Sequence, residues 1–258
     1  MGKKRENELL NEIIALQRKE IERLHGNVPA VMINTKGDTS WEKAPTETVR
    51  KLLNDHYAGR LSIYDYWGIG DERIIELRGK VDQSVQMVLT DKRTNRLVDA
   101  FTECAFSVDQ KNCLKDFKMS MNEDDTNEGG WGACKMVSWL EDAYVGSFPK
   151  EYADIFKRFW IDGKYKGRFA LRSEKEIFGR AIYGKEDEEG RQIEYYKKTR
   201  NRIKLNGNDE GTACHWWERS PSDYSSHRGQ CFCVVYTDGS ANTSSASNAY
   251  GLAPFGCI

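Results

Sequence analysis

Several things are scarce in this chain of 258 residues. No apolar run approaches the roughly 18 residues that a membrane span needs, so the reading is no membrane span. Charge of one sign is not in excess: 39 Lys and Arg stand against 40 Asp and Glu, for a net charge of −1. That balance argues against a general binder of nucleic acid or of anionic membranes. Histidine is rare, with four residues at 25, 56, 215 and 227, and no two lie at metal-ligand spacing. The seven cysteines form no regular framework, which favours reduced thiols in a chain made in the cytoplasm. No apolar signal core follows the first Met, so no export signal is visible and the compartment stays unassigned. A virion-associated or surface-displayed location is compatible with that start. The catalytic signatures are missing as well. There is no P-loop, no GxGxxG, no GxSxG and no HExxH. The reading is therefore not an enzyme, with no cofactor and no catalytic residue.

The strangest scarcity is local. The last Lys is Lys204 and the last Glu is Glu218, in a chain that is 31% charged. Beyond Pro221 the polar residues are almost all Ser, Asn, Asp, Thr, Tyr and His. Apolar islands interrupt them at Trp216-Trp217, Cys231 to Tyr236 and Gly251 to Ile258. A disordered tail has no use for such islands, and exposing them is costly. Ser, Asn and Gly supply adaptable hydrogen bonds, and Tyr supplies contact area at low entropy cost. The composition is that of recognition loops displayed on an anchored frame.

What is present sets the organisation. Residues 5–25 carry Leu10, Ile14, Gln17, Ile21 and Leu24 at 4-3-4-3 spacing, a short coiled-coil-like seam. It is either a self-association helix giving a homo-oligomer or an amphipathic helix docked on its own domain. Residues 27–44 read as a connector, and "PTETVRKLLNDHY" as a helix with Val49, Leu52, Leu53 and His56 on one face. "LSIYDYW", "ERIIEL", "VQMVLTD", "RLVDAF" and "CLKDFKM" read as strands. "GGWGACKMVSWLEDAY" opens a helix, "EYADIFKRFW" continues as helix or turn, and "RFALRS" is a strand. Ser173 and Glu176 form a capping-box pattern. Asp238-Gly239 between apolar arms marks a hairpin. The predicted class is α+β, with few helices around short antiparallel sheets. The units are an N-terminal helix (1–26), a connector and helix (27–60), and a domain over 61–258 with a polar segment at 222–250.

Two metal readings are weak. Cys231-x-Cys233, with Cys214 and His215 upstream, has the wrong spacing for a zinc ribbon; in a strand the two thiols share a face. The acidic stretch Asn122 to Glu128 lacks the ligand spacing and central Gly of an EF-hand loop and reads as a solvated turn.

"GGWGACKMVSWL", "FALRSEKEIFG", "WWERSP" and "DGSANTSSASNAYGLAPFGCI" occur in that order between Gly129 and Ile258, within a match that covers roughly residues 61–258. Together they resemble a family of bacterial and phage domains, some of which are similar to the variable proteins of diversity-generating retroelements. That resemblance implies a C-type lectin-like fold and a tail whose adenine-rich codons are rewritten by reverse transcription. Rewriting Asn codons cannot produce Lys, Glu, Gln, Met or Trp, and Ser222 to Tyr250 holds one of these, Gln230. The implied variable, ligand-contacting positions are Ser222, Asp223, Tyr224, Ser225, Ser226, His227, Tyr236, Thr237, Asp238, Ser240, Asn242, Thr243, Ser244, Ser245, Ser247, Asn248 and Tyr250. The implied ligand is a protein or glycan on a cell surface. The triplets of calcium-dependent sugar-binding lectins are absent, and so is the paired-Cys context of the formylglycine-generating oxidases. Fold and display carry over; catalysis and calcium do not. The alternatives are a non-diversified ligand-binding or structural module of the same fold, and an enzyme of the oxidase kind.

The N-terminal seam makes a direct prediction. If it drives association, sedimentation of the full chain gives a larger mass than a chain beginning at Asn27, scaled for length. An unchanged state of association means that the helix packs within its own chain.

Overall fold

Pro45 begins the first helix of the computed structural model, which describes residues 37–93, 96–98, 102–152, 154–161, 165–185, 190–224, 226 and 228–258. The predicted helix over residues 5–25 and the first part of the connector lie outside these. Helix α1 (Thr46–Tyr57) buries Val49, Leu52 and Leu53, as its spacing predicts. Its interior is shared with the rest of the chain, because one hydrophobic cluster runs from Trp41 to Ile258.

The strands are β1 (Glu72–Leu77), β2 (Gln83–Lys92), β3 (Phe106–Gln110), β4 (Phe159–Ile161), β5 (Tyr165–Gly167), β6 (Phe169–Ala170), β7 (Lys204–Leu205), β8 (Ala213–Cys214), β9 (Trp216–Pro221), β10 (Cys231–Val235), β11 (Ala241–Ser245) and β12 (Phe255–Cys257). They form a five-stranded sheet in the order β1-β2-β3-β12-β6 and a three-stranded sheet β11-β10-β9. Two pairs, β4-β5 and β7-β8, complete the set. Each of these strand pairings is antiparallel. Helix α2 (Lys135–Trp139) runs on as a π-helical turn over Leu140–Tyr144. Helix α3 (Glu174–Phe178) has the capping box at Ser173 and Glu176 and stops at Gly179, whose φ of 81° suits a left-handed end. The class is α+β, with few helices and several small antiparallel sheets.

Four predicted elements differ. "LSIYDYW" is a 3-10 turn at Ile63–Asp65; its buried residues, Ile63 and Trp67, are four apart, a helical spacing. "CLKDFKM" makes only isolated bridges at Cys113 and Met119, and Asp116 sits at φ 51°. In "RLVDAF" an isolated bridge joins Leu97 to Glu103, while 99–101 lie outside the described residues. "EYADIFKRFW" is a 3-10 turn at Lys150–Tyr152 followed by β4. A strand that the pattern did not suggest, β3, is central and buried throughout, including Ser107, Asp109 and Gln110.

Those buried polar residues lead to the ionic centre of the molecule. Arg172, wholly buried before α3, forks onto Asp109 of β3, with Nε to Oδ2 at 2.9 Å and Nη2 to Oδ1 at 2.5 Å. Tyr196 and Thr90 donate to the same carboxylate at 2.7 and 2.5 Å. Arg172 also lies 3.6 Å from the centroid of Phe255 in β12. Glu176 receives three guanidiniums: Arg96 at 2.8 Å, Arg172 at 3.2 Å, and Arg219 of β9. Burial alone would raise the Glu176 pKa, but Arg219, Arg96 and Arg172 hold it well below the usual carboxylate range. Burial also pulls the Arg172 guanidinium down, and Asp109 and Glu176 more than reverse this. Glu174 accepts the main-chain N–H groups of Ile182, Tyr183 and Gly184 at 2.7–3.1 Å. These contacts fasten the five-stranded sheet, through α3, to the three-stranded sheet.

Removing one partner from such a centre leaves charge buried without compensation. We expect Glu176→Gln to destabilise the chain by about 3–5 kcal/mol in denaturant melts at neutral pH. Because the folded pKa is depressed, the contribution is complete above the unfolded value of 4.5 and lost as pH falls towards the folded one. The gap between wild type and variant should therefore hold down to about pH 5 and narrow below it.

Candidate functional site

Consecutive residues in a strand point to opposite faces, and Trp216-Trp217 uses this directly. Trp217 enters the main core with Phe232 and Val234; Trp216 enters a second core with Cys113, Ile177, Ile193, Tyr196, Val235 and Ala253. Both indole N–H groups are bonded, Trp216 to the Arg202 oxygen at 2.9 Å and Trp217 to the Met119 oxygen at 2.8 Å. Next to them, β10 and β11 form the hairpin expected at Asp238-Gly239. Gly239 takes φ 82°, and the Asp238 carboxylate accepts from the Ser240 N–H (3.0 Å) and hydroxyl (2.6 Å). Those bonds lower the Asp238 pKa, the Ser240 hydroxyl most.

The register decides which polar residues meet. Asn242 pairs with Val234 and Ser244 with Phe232, so both share the Trp217 face. Thr243 pairs with Cys233 and Ser245 with Cys231, on the opposite face. On the Trp217 face an aromatic cluster forms. His215 stacks on Tyr236 at 4.4 Å with the rings 9° apart, and Tyr250 lies 5.5 Å from His215 and 5.0 Å from Trp217. Ser244 Oγ donates to the Tyr250 hydroxyl (3.1 Å) and accepts from the Asn248 amide (2.8 Å). Tyr236, Asn242, Ser244, Asn248 and Tyr250 are thus gathered on one surface, at the end of which Thr237, Asp238 and Ser240 are exposed.

The other predicted positions lie elsewhere. Ser245 and Ser247 both donate to Asp125, whose pKa they lower, Ser245 most. Asp223 pairs with Arg228 at 3.0 Å and bonds through its N–H to the Tyr183 oxygen. Tyr224, 51% exposed, packs edge-on against Tyr183. Ser226 is exposed; Ser225 and His227 lie outside the described residues. The 222–230 loop enters β10 at the end away from the hairpin, about 15 Å off at the usual strand rise. Ser222 and Ser244 are corrections: they are 3% and 9% exposed and face inward. The recognition-loop reading of the tail is also corrected over 241–245, which is a strand, half-buried except at the buried Ser244. The frame expected at 251–258 is a strand only over Phe255–Cys257.

Three participants were not legible as site residues. From the sequence, His215 reads only as a metal-ligand candidate. Asp125 and Asn127 belong to the acidic stretch, which docks onto the tail: the Asn127 amide donates to the Ser222 and Cys231 oxygens at 3.1 and 2.7 Å. No spacing in a single sequence links residues a hundred positions apart. Cys231 and Cys233 are buried, in no disulfide, on one face of β10, and Cys214 donates to the Lys204 oxygen at 3.5 Å. Among the described residues, no three of His, Cys, Asp and Glu are placed to hold a metal ion. No helix among them is long and apolar enough to cross a membrane. The surface offers stacking faces, hydroxyls and amides fixed from behind.

Frame and surface should therefore separate in mutagenesis. Trp217→Ala should cost about 3–5 kcal/mol. Thr237→Ala and Ser247→Ala should each stay within about 0.5 kcal/mol. Denaturant melts check both; similar losses in the two classes would mean that the surface is part of the frame.

Comparison with known proteins gives one match. No curated protein and no solved structure matches the chain. Residues 107–258, more than half of the length, match the family described as "Domain of unknown function (DUF6273)". The matched region holds β3 except Phe106, the α3 ionic centre except Thr90 and Arg96, the tryptophan strand and the hairpin. By that extent of match, the chain belongs to the DUF6273 domain family.

Proposed function

We propose that the chain is a binding protein of the receptor or adhesion type. A C-type lectin-like scaffold presents the hairpin face to a protein or glycan on a cell surface. One observation carries this reading. His215, Tyr236 and Tyr250 are half-buried and Asn248 is exposed, and this stacked and bonded group is seated on the buried Ser244 and Trp217 behind it. A face held in this way loses little conformational entropy on binding, and Tyr in such a setting is a frequent hot spot.

The finer proposal is that the face varies, as in the variable proteins of diversity-generating retroelements. Tyr224, Ser226, Tyr236, Thr237, Asp238, Ser240, Asn242, Thr243, Ser247, Asn248 and Tyr250 are then the positions free to change. The burial of Ser222 and Ser244 favours the second reading, a non-diversified module of the same fold, because random replacement at either would meet the core. Sequencing the 3′ end of the gene across a population of its host separates the two. Changes concentrated at the eleven surface positions, with Trp216, Trp217, Phe232 and Val234 constant, support diversification. A uniform tail leaves the fixed module.

A further inference from the structure

The segment Lys197 to Lys204 holds Lys197, Lys198, Arg200, Arg202 and Lys204 and no carboxylate, in a chain whose charges nearly cancel. Two of these cations are already committed. Lys204 is buried and donates to the Gln110 and Lys111 oxygens at 2.8 and 3.0 Å, and Lys197 pairs with Glu194. Lys198 and Arg200 are exposed. Arg202 is different again: it is half-buried and held from three sides. Its main-chain oxygen accepts from the Trp216 indole at 2.9 Å, its Nε donates to the Tyr196 oxygen at 2.9 Å, and its guanidinium lies 4.8 Å over the Phe178 ring. Burial alone lowers its pKa, with no carboxylate acting in the other direction. Its two terminal nitrogens have no ion-pair partner among the described residues. The hairpin tip packs against this segment: a Cβ on Gly239 would stand 3.2 Å from the Thr199 oxygen and 3.4 Å from Arg202 Cβ.

We infer that Arg202, flanked by Lys198 and Arg200, is an anchoring site for an acidic polypeptide segment of a partner protein, beside the hairpin tip. A guanidinium whose plane and Nε are fixed presents its remaining N–H groups as a ready fork, the geometry that takes a carboxylate with two parallel bonds. Its partial desolvation is a cost in the free chain, and pairing with an arriving anion offsets it. Aromatic support beneath the fork keeps it oriented. The patch is small, and the whole chain carries −1. That suits a few carboxylates better than a nucleic-acid backbone, which needs a longer run of cations to displace its counterions. The site does not depend on a variable tail, so it stands apart from the display reading.

The test is fluorescence anisotropy of the full chain with a short labelled Glu/Asp peptide at low ionic strength. The peptide should bind, and added salt should weaken it. Arg202→Gln should weaken binding by about tenfold or more, and Arg202→Lys should recover only part, because an ammonium cannot reproduce the fork. Lys51→Gln, on the exposed side of α1, should change nothing. If Arg202→Gln does not fold, the double variant Lys198→Gln/Arg200→Gln carries the test, since both side chains are exposed, and it too should lose about tenfold. Absence of peptide binding, equal binding by these folded variants, or tighter binding of a single-stranded oligonucleotide of matched charge would overturn the proposal.

Discussion

A single buried carboxylate, Glu176, facing three guanidiniums is the constraint on which the rest depends. Arg96 comes from the segment after β2, Arg172 from the approach to α3 and Arg219 from β9. Each is buried, so none can turn to water if the geometry fails. A centre of this kind is stable only when every member is in place, which makes it a specification of the fold more than a source of net free energy. It also explains why α3, only five residues long, persists. Its capping box shares Glu176 with the three arginines, and its neighbour Glu174 gathers the 182–184 backbone.

Two of the four motifs that carry the family resemblance hold residues of this centre. "FALRSEKEIFG" supplies Arg172, Ser173, Glu174 and Glu176; "WWERSP" supplies Arg219 and Ser220, whose hydroxyl accepts from the Glu174 N–H at 2.8 Å. Their similarity is therefore evidence about how the chain folds. It bears on ligand chemistry only through the surface that the fold holds up. Family membership and binding are separate questions here for a physical reason: the residues that these two motifs share face inward.

What was legible follows from range. The capping box, the Asp-Gly hairpin and the face of α1 are local patterns, and each is found where its spacing puts it. Strand β3 was hidden because Ser107, Asp109 and Gln110 look like loop residues until Arg172 and Tyr196 reach Asp109, and Tyr144 reaches Gln110, from distant segments. The tail was half legible. Its islands are the frame, but a composition typical of recognition loops does not reveal that Ser244-Ser245 lies in a strand. In β11 the run alternates instead, and its two sides find different neighbours: Tyr250 and Asn248 for Ser244, Asp125 for Ser245. The joint contribution of His215 and Tyr236 needed coordinates, since only the fold brings their rings into register.

Strand β11 closes the argument about the altered alphabet of the tail. It is the edge of its sheet, and natural edges are commonly guarded by charge, proline or bulges against pairing with another chain. Ala241–Ser245 has none of the charged residues and no proline. It is guarded by brevity and by its ends. At one end the hairpin tip rests on the 199–203 segment through Gly239, and at the other Asp125 holds Ser245 and Ser247. What stays accessible is the short middle, Asn242 and Thr243, next to the aromatic cluster on one face. Lys or Glu here would protect the edge but would also repel partners of like charge and demand desolvation on contact. Small neutral hydrogen-bonding residues avoid both costs. The absence of Lys and Glu after Glu218 is thus what a short edge strand needs if it is to remain open to a ligand and closed to its own kind.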